Sequence, residues 1–221
     1  MPTKLTDVEV RVLGSLIEKQ VTTPEYYPLT LNSLMLACNQ KNNRNPVTSF
    51  DEGTVAEAVE SLREKNLAYV HYGSTSRVPK YKHVMPEVLH LTHPEVAVMC
   101  VLMLKGSQTI GELRGGAARM YEFSGLEEVE ATLNTLTSRE PEPLVTRLTR
   151  RTGQKEARFA HLLSGEVTVE SFPEGEQPVR SIRAGRADPD KVVKLEQEVE
   201  SLKSEVAALH QQFEDFKKQF E

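Results

Sequence analysis

The hydrophobic positions of the first half of the chain predict three helices followed by a two-stranded hairpin. Thr6, with Glu9 three residues later, has the spacing of a capping box at the start of the first helix. Apolar side chains then recur at helical spacing, at Val10, Leu13, Leu16 and Ile17, at Leu31, Leu34, Met35 and Cys38, and, after a candidate N-cap at Asp51, at Val55, Ala58, Val59 and Leu62. Residues 68–72 and 78–82 are predicted to form two strands around the polar turn 73–76.

The same order of elements is repeated in the second half of the chain. Residues 92–105 match residues 6–19 in the placement of Thr, Glu, Val, Leu and Lys, and two further helical patterns follow. A second hairpin is predicted from residues 144–148 and 158–162. Three helices and a hairpin of this size are typical of a winged helix, and a duplicated one favours a protein that docks onto something long, most often DNA.

We therefore predict a mainly α fold with small β wings (α+β), organised as two tandem winged-helix domains, a linker and a C-terminal coiled coil. The domains are expected at residues 1–88 and 89–163, and the Gly-, Pro-, Glu- and Arg-rich residues 164–189 indicate a flexible linker. Residues 190–221 form a heptad pattern, with apolar a and d positions at Val192, Leu195, Val199, Leu202, Val206, Leu209, Phe213 and Phe216. Valine at a with leucine at d favours a parallel homodimer. A single amphipathic helix packed on the body is the alternative. The terminal phenylalanines are also compatible with a trimer or with a lid over another surface.

Composition and charge narrow the class of protein. The chain has 221 residues and a net charge of −5, which argues against coating nucleic acid through bulk charge but allows a local basic patch. Cys38 and Cys100 lie in apolar helical patterns and are expected to be buried free thiols in a reducing compartment. We recognise neither a signal peptide nor an apolar stretch approaching the ~18 residues of a membrane span. We therefore expect a cytoplasmic protein without membrane contact.

The sequence carries no motif typical of catalysis or of a strong metal site. It contains no P-loop, nucleophile elbow or paired-cysteine motif. His90 and His93, with Cys100 further on, have a conceivable ligand spacing, but two histidines without a second matching pair are a weak signal. Ordinary capping and surface roles are the favoured interpretation, so we expect no catalytic residue, no metal, no cofactor and no enzymatic activity.

The predicted third helices and the hairpins carry opposite charge. A helix that enters the major groove of DNA runs between phosphates and so needs to be neutral or basic. The third helix of the first repeat instead exposes acidic residues, among them Glu57, Glu60 and Glu64. Basic residues lie on the hairpins, and amides and cations lie on the loop after the second helix. The candidate nucleic-acid contacts are Asn39, Gln40, Lys41, Arg44, Arg77, Lys80, Lys82, Arg147, Arg150, Arg151, Lys155 and Arg158. Asn and Gln read adenine edges and Lys and Arg hold phosphate, whereas a solvated hairpin and an ordinary Asn-rich loop are the alternatives.

Several strings in both repeats resemble the bacterial YceH-like family. They are residues 12–24, 27–32, 37–41, 43–44 and 46–47 in the first repeat, and residues 108–109, 111–114, 117–123 and 164–167 in and after the second. The resemblance covers the two repeats nearly end to end. It implies a cytosolic protein with two winged-helix domains, and because the family is a domain of unknown function it implies no activity, substrate or site.

Two functional hypotheses follow from the sequence. The first is a non-enzymatic, DNA-binding or transcription-associated regulator that acts as a dimer and contacts DNA through its hairpins and its Asn/Lys/Arg loop. The second is a protein-interaction adaptor, in which the acidic third helices with Glu57, Glu60 and Glu64 dock a basic partner.

Overall fold

A computed structural model of the chain describes residues 4–72, 78–149 and 156–165. The described part is mainly helical with small antiparallel sheets. Its elements are α1 (Asp7–Thr22), the 3₁₀ turn Pro24–Tyr26, β1 (Leu29–Thr30), α2 (Leu31–Cys38), α3 (Glu52–Glu64), β2 (Ala68–His71), β3 (Lys80–His83), α4 (Met85–Val88), α5 (His93–Lys105), α6 (Ile110–Ala117), α7 (Leu126–Thr137), β4 (Val145–Arg147) and β5 (Phe159–His161). The predicted coiled coil, with its positions from Val192 to Phe216, lies outside the described residues.

The helix starts follow from capping chemistry, and the predicted capping box of α1 is confirmed. The Thr6 hydroxyl accepts the backbone N–H of Glu9 at 3.2 Å, and the Glu9 carboxylate accepts the backbone N–H of Thr6 at 2.6 Å. Thr92 and Glu95 form the equivalent box at the start of α5. Asp51 caps α3 as predicted, because its carboxylate accepts the backbone N–H of Thr54.

Both hairpins form, and each has a neighbour from the segment before the second helix of its repeat. In the first sheet the strand order is β1-β3-β2, and in the second β4 pairs with β5. Strand β1 is not among the strands predicted from the sequence, which are those of the two hairpins only. Its counterpart is the residue Gln108, which exchanges backbone hydrogen bonds with Phe159 of β5 at 3.0 and 2.8 Å. Strand β3 begins at Lys80, two residues later than predicted. The preceding residue, Pro79, has no N–H to donate to the ladder, so the strand starts after it.

The repeats meet where α1 packs against α5. Both helices are buried nearly all round, from Glu9 to Glu18 and from Glu95 to Leu104, and the buried apolar side chains of both repeats belong to one cluster. The helices approach closely at Gly14, where an added Cβ would lie 2.9 Å from Leu104 Cδ2. Loop backbone adds to the contact, since the Asn45 N–H donates to the Leu104 carbonyl at 2.9 Å. The division into domains at residues 88 and 89 stays a prediction.

The prediction that both cysteines are buried free thiols is confirmed. Cys38 and Cys100 are each fully buried, and the Cys100 thiol donates to the Gly14 carbonyl at 3.4 Å. Burial raises the pKa of both thiols, so they stay protonated and function as small apolar side chains.

His83, at the end of β3, is a buried histidine held in its neutral form. Its ring packs edge-on against Tyr27 with 6.2 Å between centroids, and neither ring nitrogen has a hydrogen-bond partner among the described residues. Burial, and to a lesser extent the charge of Lys82, lowers the pKa of His83 to about 4.

We expect Gly14→Ala to lower the free energy of unfolding by about 1–3 kcal/mol, because the new methyl group collides with Leu104 and Met103. Gly115→Ala is the matched control, since a Cβ there meets no neighbouring group of the described residues within 4 Å. In the control the free energy of unfolding should stay unchanged or rise by up to about 1 kcal/mol, because alanine has a higher helix propensity than glycine. Urea denaturation measures both changes, and equal stabilisation by the two substitutions would refute the close helix packing.

We expect His83→Phe to reduce the loss of stability in acid. The folded-state pKa of about 4 lies below the ordinary value of about 6.5, so the contribution of His83 is complete above pH 6.5 and is lost as pH falls toward 4. Between pH 7.5 and pH 4.5 the free energy of unfolding should fall by about 2–3 kcal/mol less in the variant than in the parent. Burial also lowers the pKa of His161 to about 4, so part of the acid sensitivity remains. Urea denaturation at both pH values tests this, with the exposed His71→Gln as control; identical acid losses in parent and His83→Phe would contradict it.

Candidate functional site

The outer face of the first hairpin combines cationic and aromatic side chains. Tyr69 of β2 lies opposite Lys82 of β3, and His71 lies opposite Lys80. Cross-strand partners share a face, and alternate residues along a strand also share it, so these four side chains lie on one side of the ladder. The Lys82 ammonium is 5.8 Å from the centroid of the Tyr69 ring, within the range of a cation–π contact. The opposite face carries Ala68 and His83 into the core.

A groove of about 470 Å³ continues this face toward the end of α1. It is lined by Tyr69, His71 and Lys82 of the hairpin and by Gln20, Pro24, Tyr27 and Pro28. The hydroxyl of Tyr27 accepts the backbone N–H of His83 at 2.9 Å, and burial raises the pKa of this phenol, so Tyr27 is a fixed, neutral wall. Tyr69 is the aromatic ring of the groove that stays partly open to solvent. The hairpin face, which we define as Tyr69, His71, Lys80 and Lys82, thus offers positive charge beside an open aromatic surface.

The exposed side of α3 is acidic. Glu57, Glu60 and Glu64 are all exposed, as predicted for the partner-docking face. The two cations near the end of this helix are already paired, Arg63 with Glu60 and Lys65 with the buried Glu9 of α1. A phosphate approaching this helix would therefore meet carboxylates first.

Two of the predicted nucleic-acid contacts hold the loop after α2 in place. Arg44 is buried and forms an ion pair with Glu18 at 2.7 Å, and its guanidinium also donates to the Ala37 carbonyl at 2.8 Å. The Asn39 side chain is bonded to the backbone of Phe50 in both directions, at 2.7 and 2.8 Å. Both polar groups are occupied within the fold, so Arg44 and Asn39 are not part of the interface that we propose. Glu18 was not singled out from the sequence, because it lies outside the apolar stripe of α1 and so gave no local signal of burial.

The remaining predicted contacts fall into three groups. Lys41 is exposed, and the side-chain oxygen of Gln40 accepts a hydrogen bond from Arg44 at 3.3 Å. On the second hairpin Arg147 is exposed, whereas Arg158 donates to the Ser107 carbonyl at 2.7 Å and pairs with Glu112 at 3.1 Å. Arg77, Arg150, Arg151 and Lys155 lie outside the described residues.

Two other kinds of site are absent from the described ranges. Residues 4–72, 78–149 and 156–165 contain no group of three or more His, Cys, Asp or Glu side chains placed to hold a metal ion. Within the same ranges, no helix is both long and apolar enough to cross a bilayer.

Comparison with known proteins gives consistent matches along the chain. The model of the family described as "Protein of unknown function, DUF480" matches residues 5–154, which include the hairpin face and the loop after α2. A UPF0502 protein of Pelobacter propionicus is 51% identical over 220 residues, covering 98% of each chain. A UPF0502 protein of Opitutus terrae is 52% identical over 186 residues, covering 84% of this chain and 81% of the relative. One of Geobacter sulfurreducens is 47% identical over 217 residues and again covers 98% of each chain.

We expect Arg44→Met to lower the free energy of unfolding by about 3–5 kcal/mol, because it leaves Glu18 as a buried charge without its partner. The double variant Arg44→Met/Glu18→Met should recover most of this loss, since it removes both buried charges. Arg63→Met breaks a partly exposed ion pair on α3 and should cost less than about 1 kcal/mol. Chemical denaturation of the three variants measures these differences, and a loss for Arg44→Met no larger than for Arg63→Met would contradict the structural role.

Proposed function

For a chain that belongs to the DUF480 family of proteins of unknown function, represented by the UPF0502 proteins, we propose a non-enzymatic role in binding DNA through the outer face of its first hairpin. The observation that carries the proposal is the juxtaposition of Lys80 and Lys82 with the open ring of Tyr69 on one side of the ladder. Lysine neutralises phosphate without reading sequence, and an aromatic ring packs against sugar or an unstacked base.

The order of elements supports an interpretation as tandem winged helices. Each repeat runs helix, helix, helix, hairpin, and in each the segment before the second helix adds backbone pairing to the hairpin. This is the arrangement that the resemblance to the YceH-like family implies. In such a domain the third helix and the wing are the two elements placed to meet DNA. Within the first repeat, either α3 or the hairpin would therefore contact DNA.

Charge favours the hairpin as the element that contacts DNA. The exposed residues Glu57, Glu60 and Glu64 give α3 a negative outer side, and the nearby cations Arg63 and Lys65 are already in ion pairs. Like charges in the groove between phosphates oppose binding. The hairpin face carries two lysines that are not in an ion pair among the described residues. We infer contact led by the wing, with α3 turned away from the duplex.

Two further parts of the proposal rest on the sequence. The heptad pattern of residues 190–221 supports a homodimer, which would present two hairpin faces and double the number of phosphates contacted. Arg150, Arg151 and Lys155 of the second hairpin would extend the basic surface, together with the exposed Arg147. A cytoplasmic location is part of the same proposal.

A protein-interaction adaptor is the second candidate. The observation in its favour is that Glu57, Glu60 and Glu64 are exposed together on one side of α3. This surface suits a basic protein segment for the same reason that it repels phosphate.

We expect the double variant Lys80→Gln/Lys82→Gln to weaken binding of random duplex DNA. The slope of log affinity against log salt should fall by about 2, because each lysine that is removed leaves one phosphate with its counterion. Fluorescence anisotropy across a salt series measures both quantities. Arg63→Gln is the control, because it removes a cation from α3 and should change neither the DNA affinity nor the salt slope. A double variant with the parental salt slope would refute binding through the hairpin, and absence of binding by the parent at low salt would leave the adaptor as the candidate to pursue.

A further inference from the structure

A second concavity, of about 280 Å³, lies between the two repeats beside Lys19, near the end of α1. It is lined by Lys19 of α1, by Gln40, Lys41, Asn42 and Asn43 of the loop after α2, and by Arg119 just after α6. We propose that this concavity, the inter-repeat pocket, binds a phosphate group. None of the residues that line the pocket belongs to the hairpin face, although Gln40 and Lys41 are among the nucleic-acid contacts predicted from the sequence, so the pocket can bind phosphate whether or not the hairpin face binds DNA.

The described lining of the pocket concentrates positive charge. Of the lining residues within the described ranges, three are cationic and none is acidic. Lys19, Lys41 and Arg119 take part in none of the ion pairs within the described residues. The adjacent carboxylate, Glu18, is committed to Arg44 at 2.7 Å. A bound anion would therefore supply a counter-charge that the described residues of the lining do not supply.

Lys19 is a half-buried member of this group of cations. Burial lowers its pKa; the charge of Glu18 opposes this effect, and the smaller effects of Arg44 and Arg119 reinforce it. An ammonium group that is partly desolvated beside two guanidinium groups is stabilised by a nearby anion. Compact dianions such as phosphate suit such a group of three cations better than a single carboxylate does.

The buried ion pair preorganises the wall of the pocket. Arg44 donates to the Asn43 carbonyl at 3.0 Å and to the side-chain oxygen of Gln40 at 3.3 Å. Because this bond uses the oxygen of Gln40, the amide hydrogens of Gln40 remain as donors, and they have no hydrogen-bond partner within the described ranges. Asn43 itself lies in the left-handed region at φ 57°, which shapes the loop. The pocket thus combines cations with N–H donors on a fixed loop, the combination that phosphate recognition uses.

The ligand would connect the two repeats. Lys19 and the loop belong to the first repeat, whereas Arg119 belongs to the second. A phosphate held by all three would bind the folded chain and not the unfolded chain, so it should raise the melting temperature as well as produce a binding signal.

The test uses the full chain with inorganic pyrophosphate and inorganic phosphate as probes, titrated by isothermal calorimetry and followed by thermal melting, with sodium chloride at matched ionic strength as reference. We expect saturable binding and a raised melting temperature with pyrophosphate but not with chloride. Arg119→Gln and Lys41→Gln should each weaken pyrophosphate binding by about tenfold or more, in line with the removal of one charge-assisted hydrogen bond. Arg114→Gln, an exposed cation of α6 outside the pocket, is the matched control and should bind within about twofold of the parent.

The variants are informative because Lys41 and Arg119 are both exposed, so their melting temperatures without added anion should equal that of the parent. Equal shifts with chloride and pyrophosphate, or unchanged pyrophosphate affinity in both Arg119→Gln and Lys41→Gln, would overturn the proposal. A DNA titration of Arg119→Gln then identifies the source of the phosphate. Unchanged DNA affinity supports a small free phosphorylated ligand, and weakened DNA affinity with displacement of pyrophosphate by duplex supports a phosphate of the nucleic-acid backbone.

Discussion

The packing of α1 against α5 at Gly14 is the constraint on which the rest of the described structure depends. Gly14 has no side chain, so α5 can approach α1 closely. As a result α1 is buried on the side facing α5 as well as on the sides facing its own repeat. The buried charged side chains of α1 then need partners inside the protein. Glu9 pairs with Lys65, the Arg11 guanidinium donates to the Cys38 and Pro46 carbonyls, and Glu18 pairs with Arg44. The central helix therefore fixes the positions of the loop after α2 and of the end of α3.

These internal pairs also explain how the surface charges are distributed. Arg44, Arg63 and Lys65 are used in ion pairs, while the lysines of the first hairpin and the cations between the repeats are not paired within the described part of the chain. The exposed side of α3, in contrast, carries an excess of negative charge. Two basic surfaces and one acidic surface result on a chain whose overall charge is only −5. Such local separation, more than net charge, determines which partners approach each side.

The sequence predicted the elements better than it predicted the sites. Helix caps and apolar stripes depend on neighbours three or four residues away, so Thr6, Asp51 and the hairpins could be placed from local pattern alone. The role of Arg44 could not, because a cation in a polar loop looks the same whether it faces water or a buried carboxylate. Glu9, Arg11 and Glu18 made α1 look amphipathic, whereas it is buried nearly all round. The inter-repeat pocket joins Lys41 to Arg119 through tertiary packing, which no local spacing encodes.

The burial of α1 has a consequence for the order in which the protein is made. The side of α1 around Gly14 is covered by Leu104 and Met103, near the end of α5, and the backbone N–H of Leu5 donates to the Leu163 carbonyl at 2.8 Å. During synthesis α1 is made well before these residues exist. Until then it presents an uncovered apolar helix face, a transient surface that chaperones recognise and that favours association between nascent chains.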